Sequence, residues 1–113
     1  MSDLRLTDFL EHMQQAAADA MAFTEGMSKD EFLADKRTQQ AVIMSLIVLG
    51  EAATKVMDGY PDFADQHAQI PWRNMRGIRN RIAHGYFDIN LGLVWDTVQT
   101  ALPPLVIALR GMA

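Results

Sequence analysis

The chain has 113 residues, half of them hydrophobic, with 10 Lys and Arg against 14 Asp and Glu and a net charge of −4. That length suits a single domain over 1–113, and the apolar share is enough for a real core, although a domain this small often relies on a partner subunit. The absence of cysteine excludes a disulfide framework, a thiol nucleophile and a cysteine-ligated metal.

In the first segment, Asp3 to about Phe23, the residues Leu6, Phe9, Leu10, Met13, Ala17, Ala20 and Met21 fall at helical spacing. No signal-peptide core is visible there. The longest apolar run, Ala41 to Gly50, is about ten residues and contains Ser45, whereas a membrane span needs roughly 20. A soluble, cytoplasmic protein without a membrane partner is expected. Glu25-Gly26 ends the first helix, and Ser28-Lys29-Asp30-Glu31 has the pattern of a capping box opening a short helix or turn.

A long helix is predicted from about Lys36 to Met57. Ala41 to Leu49 is apolar nearly all round, which predicts burial on several sides. Gly50 permits a close approach by another helix. Glu51 is the one acid in this apolar region; it reads as a helix-surface charge, the alternative being an inward side chain paired with an arginine of the later cluster.

Asp58-Gly59-Tyr60-Pro61 is a stop signal, and one helical turn fits within Asp62 to Gln69. Pro71 suits the first turn of a helix running from Trp72 to about His84, with Gly85 as its stop. Asn90 caps the last helix, whose apolar positions are Leu91, Val94, Trp95, Val98, Leu102, Val106 and Leu109. Pro103-Pro104 is predicted to kink or break it. No strand is predicted. The fold class is all-α: an antiparallel bundle of four main helices plus a short extra one.

Arg73, Arg76, Arg79 and Arg81 are four of the ten basic residues, and no Asp or Glu occurs between Pro71 and Tyr86. A local cationic patch matters more than net charge for an anionic ligand. The guanidinium fork suits planar contacts to phosphate, so Arg73, Arg76 and Arg81 are candidate ligands of an RNA backbone. A solvated helix face is the plainer reading. On a helix, Met75, Ile78 and Ile82 share a core face, while Arg73, Arg76, Asn80 and His84 form a stripe on the other side. Asn80 and His84, four apart, can meet.

Cleaving RNA without a metal requires a base for the 2′-hydroxyl, an acid for the leaving 5′-oxygen and a cation for the phosphate. An imidazole serves as base or acid, and a guanidinium supplies fixed charge. His84, Arg79 and Asn80 are therefore the catalytic candidates, Asn80 to hold the imidazole or a phosphate oxygen. One histidine leaves part of the proton traffic to another group, a water or a second protomer. Arg79 and His84 stand about 140° apart on a regular helix. They converge only if the arginine sweeps round or the helix loosens near Gly85. His12 and His67 read as surface or boundary residues. No pair of histidines or carboxylates has metal spacing, and no cofactor is implied.

The pattern Arg79-Asn80-x3-His84-x-Tyr86 resembles the active motif of HEPN ribonucleases of the HepT type. Gly50-Glu51-Ala52-Ala53, Ile70-Pro71-Trp72 and Val94-Trp95-Asp96 are similar to the flanking segments of that family, so the resemblance covers nearly the whole chain. It implies a metal-independent endoribonuclease acting as the toxin of a toxin–antitoxin system. It also implies a homodimer whose motif helices line a shared cleft. The implied partner is a minimal nucleotidyltransferase (MNT) antitoxin that transfers adenylate to Tyr86, a residue that by itself reads as packing the turn after the motif helix. Two other classes remain: an RNA- or nucleotide-binding module without turnover, and a structural subunit of a nucleotidyltransferase.

Overall fold

The computed structural model describes residues 2–112, with side chains from Arg5 onward. Among the described residues there is no strand, as expected for an all-α protein. The helices are α1 (Ser2–Phe23), α2 (Lys29–Leu33), α3 (Lys36–Gly59), α4 (Pro61–Gln66) and α5 (Trp72–His84), followed by a single turn of 3-10 helix over Tyr86–Asp88. The last helix, α6, spans Leu91–Arg110.

Local sequence sets most of the boundaries. Gly26 adopts φ 78°, a left-handed conformation that glycine reaches without a side-chain penalty, and α1 ends just before it. The capping box forms as expected: Glu31 N donates to Ser28 Oγ at 3.1 Å and Ser28 N to Glu31 Oε1 at 2.8 Å. Asp35 accepts from Thr38 N at 3.1 Å and from Thr38 Oγ1 at 2.7 Å, which starts α3. These hydrogen bonds hold the Asp35 carboxyl below its ordinary value, the side-chain bond from Thr38 contributing most. Asn90 accepts from Leu93 N at 3.0 Å and starts α6.

Helix α3 is the centre of the bundle and packs against α1, α2, α4 and α5. Its residues Val42, Leu46, Leu49, Ala53 and Val56 are buried together with Met13, Ala17 and Ala20 of α1 and Val98, Leu102 and Leu109 of α6. Each large apolar side chain removed from water in this way stabilises the fold by roughly 1.5–3 kcal/mol. Phe32 of α2 is fully buried and meets Trp95 of α6 with ring centroids 5.5 Å apart.

Two features refine the sequence reading. Pro103-Pro104 interrupts the regular last helix without ending it. A π-turn over Thr97–Ala101 precedes the prolines, and Leu102 N reaches back five residues to Thr97 O. The widened turn lets the helix resume with proline in its first turn, where a missing amide and the ring's bulk are tolerated. Gln99, inside that turn, donates to Thr24 Oγ1 at 3.1 Å and ties it to the end of α1.

The second feature is length. By length and composition alone, α3 and α6 could each cross a membrane, with mean hydropathies of 1.4 and 1.3. In α3, 56% of the apolar window is buried inside the bundle; in α6 the share is only 28%.

Candidate functional site

Helix α5 is anchored at its start by Trp72, which is buried and whose Nε1 donates to Ala64 O at 3.2 Å and His67 O at 3.1 Å. The His67 ring stacks on Phe63 at 4.1 Å, and Nδ1 lies 2.9 Å from Phe63 O, so this histidine serves the linker. His12 is exposed on α1.

Glycine sets the approach of α5 to α3. A Cβ at Gly50 would stand 2.6 Å from Met75 O and closer still to Arg79 Cβ. Only glycine lets the two backbones lie this near. Arg79 is thereby laid along α3. Its Nη1 donates to Glu51 Oε2 at 2.9 Å and its Nη2 to Thr54 Oγ1 at 3.4 Å. One turn earlier, Arg76 donates from Nη2 to Asp58 Oδ1 at 2.6 Å and from Nε to Thr54 Oγ1 at 3.4 Å. Thr54 Oγ1 donates to Gly50 O at 2.8 Å, so its oxygen is fixed between the two guanidinium groups. Glu51 also lies 3.9 Å from Lys55 Nζ.

Glu51 is a surface charge and not an inward one, with its side chain 48% exposed, yet it is the ion-pair partner of Arg79. The arginine is only 26% exposed, and its Nε is buried without a hydrogen-bond partner among the described residues. This guanidinium is positioned by α3 and still carries N–H donors beyond those used. Sequence reasoning did not single out Thr54 and Asp58. The available signal was their spacing: Glu51, Thr54 and Asp58 recur at helical intervals along one side of the second half of α3.

The predicted outward stripe needs one correction. Arg73, Asn80 and His84 are exposed, and their side chains make no hydrogen bond or ion pair among the described residues. Arg76 does not stand free with them; it is half-buried, because α3 offers it a carboxylate and a hydroxyl. Met75 and Ile82 are buried and Ile78 half-buried, as expected. Arg81 is exposed on the other flank of α5. The regular helix runs to His84, so Arg79 and His84 keep the divergence of about 140° that the helical repeat dictates. No hydrogen bond joins them among the described residues.

Tyr86 lies just past the helix end, 52% exposed, with its ring edge-on to Phe87 at 5.9 Å. It does not pack into the core. Among the described residues no group of three His, Asp or Glu side chains could hold a metal ion.

The arrangement is an exposed imidazole and amide one turn apart at the end of α5, with an arginine held by a carboxylate of α3 on another side of the same helix. Residues 13–112 match the family model described as ribonuclease HepT-like. A Methanocaldococcus jannaschii protein named "Putative RNase MJ0127" is 43% identical over 98 residues, covering 87% of this chain and 75% of its own. "Probable ribonuclease HepT" of Thermococcus cleftensis is 37% identical over 98 residues, covering 87% of this chain and 86% of its own. No solved structure matches the chain. With a family match over nearly its whole length and relatives at this identity, the chain belongs to the HepT-like ribonuclease family.

Proposed function

We propose that this chain is a metal-independent endoribonuclease, the toxin of a toxin–antitoxin pair, working as a homodimer. The carrying observation is an exposed, unpartnered His84 with Asn80 one turn before it, on the helix that also carries Arg79, held by Glu51 and Thr54 and turned about 140° from His84, so that the two meet one phosphate only across a two-fold interface or when the arginine swings round. The names of the relatives point to the same chemistry.

In this reading the 2′-hydroxyl oxygen attacks the adjacent phosphorus and the bond to the 5′-oxygen breaks. The products are a 2′,3′-cyclic phosphate and a 5′-hydroxyl. One proton leaves the 2′-hydroxyl and one must reach the 5′-oxygen. His84 carries one of these transfers, as an imidazole can in either direction. A second copy supplies the imidazole for the other. Arg79 meets the charge that grows on the phosphate, and because Glu51 already orients it, little reorganisation is needed at that moment. Asn80 orients the imidazole or a phosphate oxygen. Arg73, with no carboxylate of its own, holds the RNA backbone, with Arg81 contributing from the other flank.

The antitoxin in this reading is a nucleotidyltransferase that modifies Tyr86. The phenol oxygen attacks the α-phosphorus of ATP, its proton is lost, and pyrophosphate leaves. The exposure of Tyr86 two residues beyond His84 supports this. The attached nucleotide brings an anionic phosphodiester to the cations that must bind substrate.

The test is RNA cleavage by purified protein in EDTA, wild type beside His84→Ala. The expected result is cyclic-phosphate ends from wild type and a loss of at least ~10²-fold in the variant, the scale for removing an acid–base group. Full activity in His84→Ala, or abolition by EDTA, overturns the mechanism. With the nucleotidyltransferase, ATP and magnesium, wild type gains one adenylate by mass and Tyr86→Phe gains none; equal gain by both removes Tyr86 from the scheme.

A further inference from the structure

Thr54 is one of the few buried polar side chains, and it sits in the middle of the seam between α3 and α5. All the hydrogen bonds of its hydroxyl are made. Oγ1 donates to Gly50 O at 2.8 Å and accepts from Arg79 Nη2 and from Arg76 Nε, each at 3.4 Å. A hydroxyl has one proton and two lone pairs. Here the proton is committed to the carbonyl four residues back on its own helix, so only lone pairs face α5.

Two cations from neighbouring turns of α5 converge on that oxygen, and each has a carboxylate of its own on α3. Arg79 meets Glu51 at 2.9 Å and Arg76 meets Asp58 at 2.6 Å. The carboxylates offset the repulsion of the two guanidinium groups, and the hydroxyl lies between them.

The consequence is greatest for Arg79. A guanidinium is flat, and a single hydrogen bond leaves it free to turn about that bond. Nη1 on Glu51 and Nη2 on Thr54 fix two corners, and with them the plane. The arrangement leaves Nε buried without an acceptor among the described residues. A buried donor without a partner is unfavourable, so an unconstrained arginine would turn that N–H toward an acceptor or toward water. The orientation is imposed from the α3 side.

We propose that Thr54 is the positioning residue of this site and that Arg79 acts in the place where α3 holds it. This rests on the nuclease reading above. Of the two ways in which Arg79 and His84 can serve one phosphate, it selects the one in which the arginine stays and the phosphate is brought to it across a two-fold interface. A swing toward His84 would break the bonds to both Thr54 and Glu51. Thr54 then governs rate and not affinity. Arg73 can hold a phosphate in the ground state, whereas the charge that grows in the transition state is met by donors already in place.

The test compares Thr54→Val, which keeps the shape and removes the oxygen, with Thr54→Ser, which keeps the oxygen. The three residues differ little in helix propensity, so all three proteins are expected to melt within a few degrees of each other. In RNA cleavage, kcat is expected to fall about tenfold or more in Thr54→Val, with KM within about twofold of wild type. Thr54→Ser is expected to recover most of the rate. A general loosening of the bundle would instead lower the melting temperature, and serine, the smaller residue, would not repair it. A second measurement uses no RNA. The nitrogen–proton NMR signals of the Arg79 guanidinium are expected to be resolved in wild type and Thr54→Ser, as in a group held at two corners, and to merge and broaden in Thr54→Val.

An unchanged or raised kcat in Thr54→Val overturns the proposal and shows that the arginine swings. A loss confined to KM, or one that serine does not recover, overturns it too. So do Arg79 signals that are the same in wild type and Thr54→Val. If wild type cuts no RNA while the NMR contrast is present, the nuclease reading fails and the hold by Thr54 stands. Cleavage that is indifferent to Thr54 leaves the nuclease and removes the positioning role.

Discussion

Arg79 of α5 and Glu51 of α3, 28 residues apart in sequence, are joined by a charge-assisted hydrogen bond of 2.9 Å. The bond exists because Gly50, next to Glu51, lets α5 come close enough for the guanidinium to lie along α3. Glu51→Gln keeps a hydrogen-bond acceptor but removes the charge, and Glu51→Ala removes both. RNA cleavage is expected to fall roughly tenfold to a hundredfold in Glu51→Ala, as a catalytic group loses its orientation, and less in Glu51→Gln. The pair is partly exposed, so the stability change stays within about 1 kcal/mol. Single-turnover kinetics beside urea unfolding checks this; an unchanged cleavage rate in Glu51→Ala removes Glu51 from the site.

His84 and Arg79 are expected to differ when each is replaced by alanine. His84 is exposed and unpartnered, so His84→Ala loses activity while its thermal midpoint stays unchanged. Arg79 is largely covered and binds two groups on α3. Arg79→Ala is therefore expected to lose activity and also about 1–3 kcal/mol of stability. Chemical denaturation of the two variants decides it.

The arginine stripe divides in the same way. Arg73 is exposed without a partner, so Arg73→Ala is expected to weaken RNA binding and lower the salt slope by about one. Arg76 is committed to Asp58 at 2.6 Å and to Thr54. Arg76→Ala is expected to change the slope less and unfolding more. Binding titrations across a salt series compare the two; equal slopes for both variants place Arg76 on the RNA as well.

Gly50→Ala is expected to destabilise the fold by about 1–3 kcal/mol or more, since the added Cβ would lie 2.6 Å from Met75 O, a backbone atom that cannot swing away. It also pushes Arg79 off Glu51, so cleavage falls with stability. Gly59→Ala, where a Cβ meets nothing within 4 Å, is the control. Urea unfolding of both variants, with equal loss in the two, counts against a close helix contact at Gly50.

The cap of α3 gives a pH dependence with a definite sign. The Asp35 carboxyl titrates below its ordinary value because Thr38 donates to it from side chain and backbone. A lowered folded value means that the stabilisation is complete above the unfolded value, near pH 4, and is lost as pH falls through the folded value. Asp35→Asn keeps an N-cap acceptor without the charge, and it is expected to lose less stability than wild type on acidification over that window. Thermal melts from pH 7 down to pH 2.5 measure it; parallel curves for the two proteins assign the acid loss to other carboxylates.

The sequence by itself determined the helices and their ends, because these depend on neighbours in the chain. The apolar period of α1 and α6, the Ser28–Glu31 box, the Asn90 cap and the Trp72–His84 span all lie in local spacing, and the structure reproduces them. The motif Arg79, Asn80, His84 and Tyr86 was legible for the same reason, as was the divergence of Arg79 from His84, since both sit on one regular helix. The interruption at Pro103-Pro104 was legible, but not its form, because a π-turn is a change of hydrogen-bond register that residue type does not announce. What only the tertiary structure decided is which arginines are free. Arg73 and Arg76 are both arginines on one helix, yet Asp58 and Thr54 of α3 engage Arg76 and leave Arg73 to solvent. That choice, like the pairing of Glu51 with Arg79, depends on how near and at what rotation α5 meets α3. Gly50 fixes the approach, and a charge finds its partner only once the two backbones have been brought together.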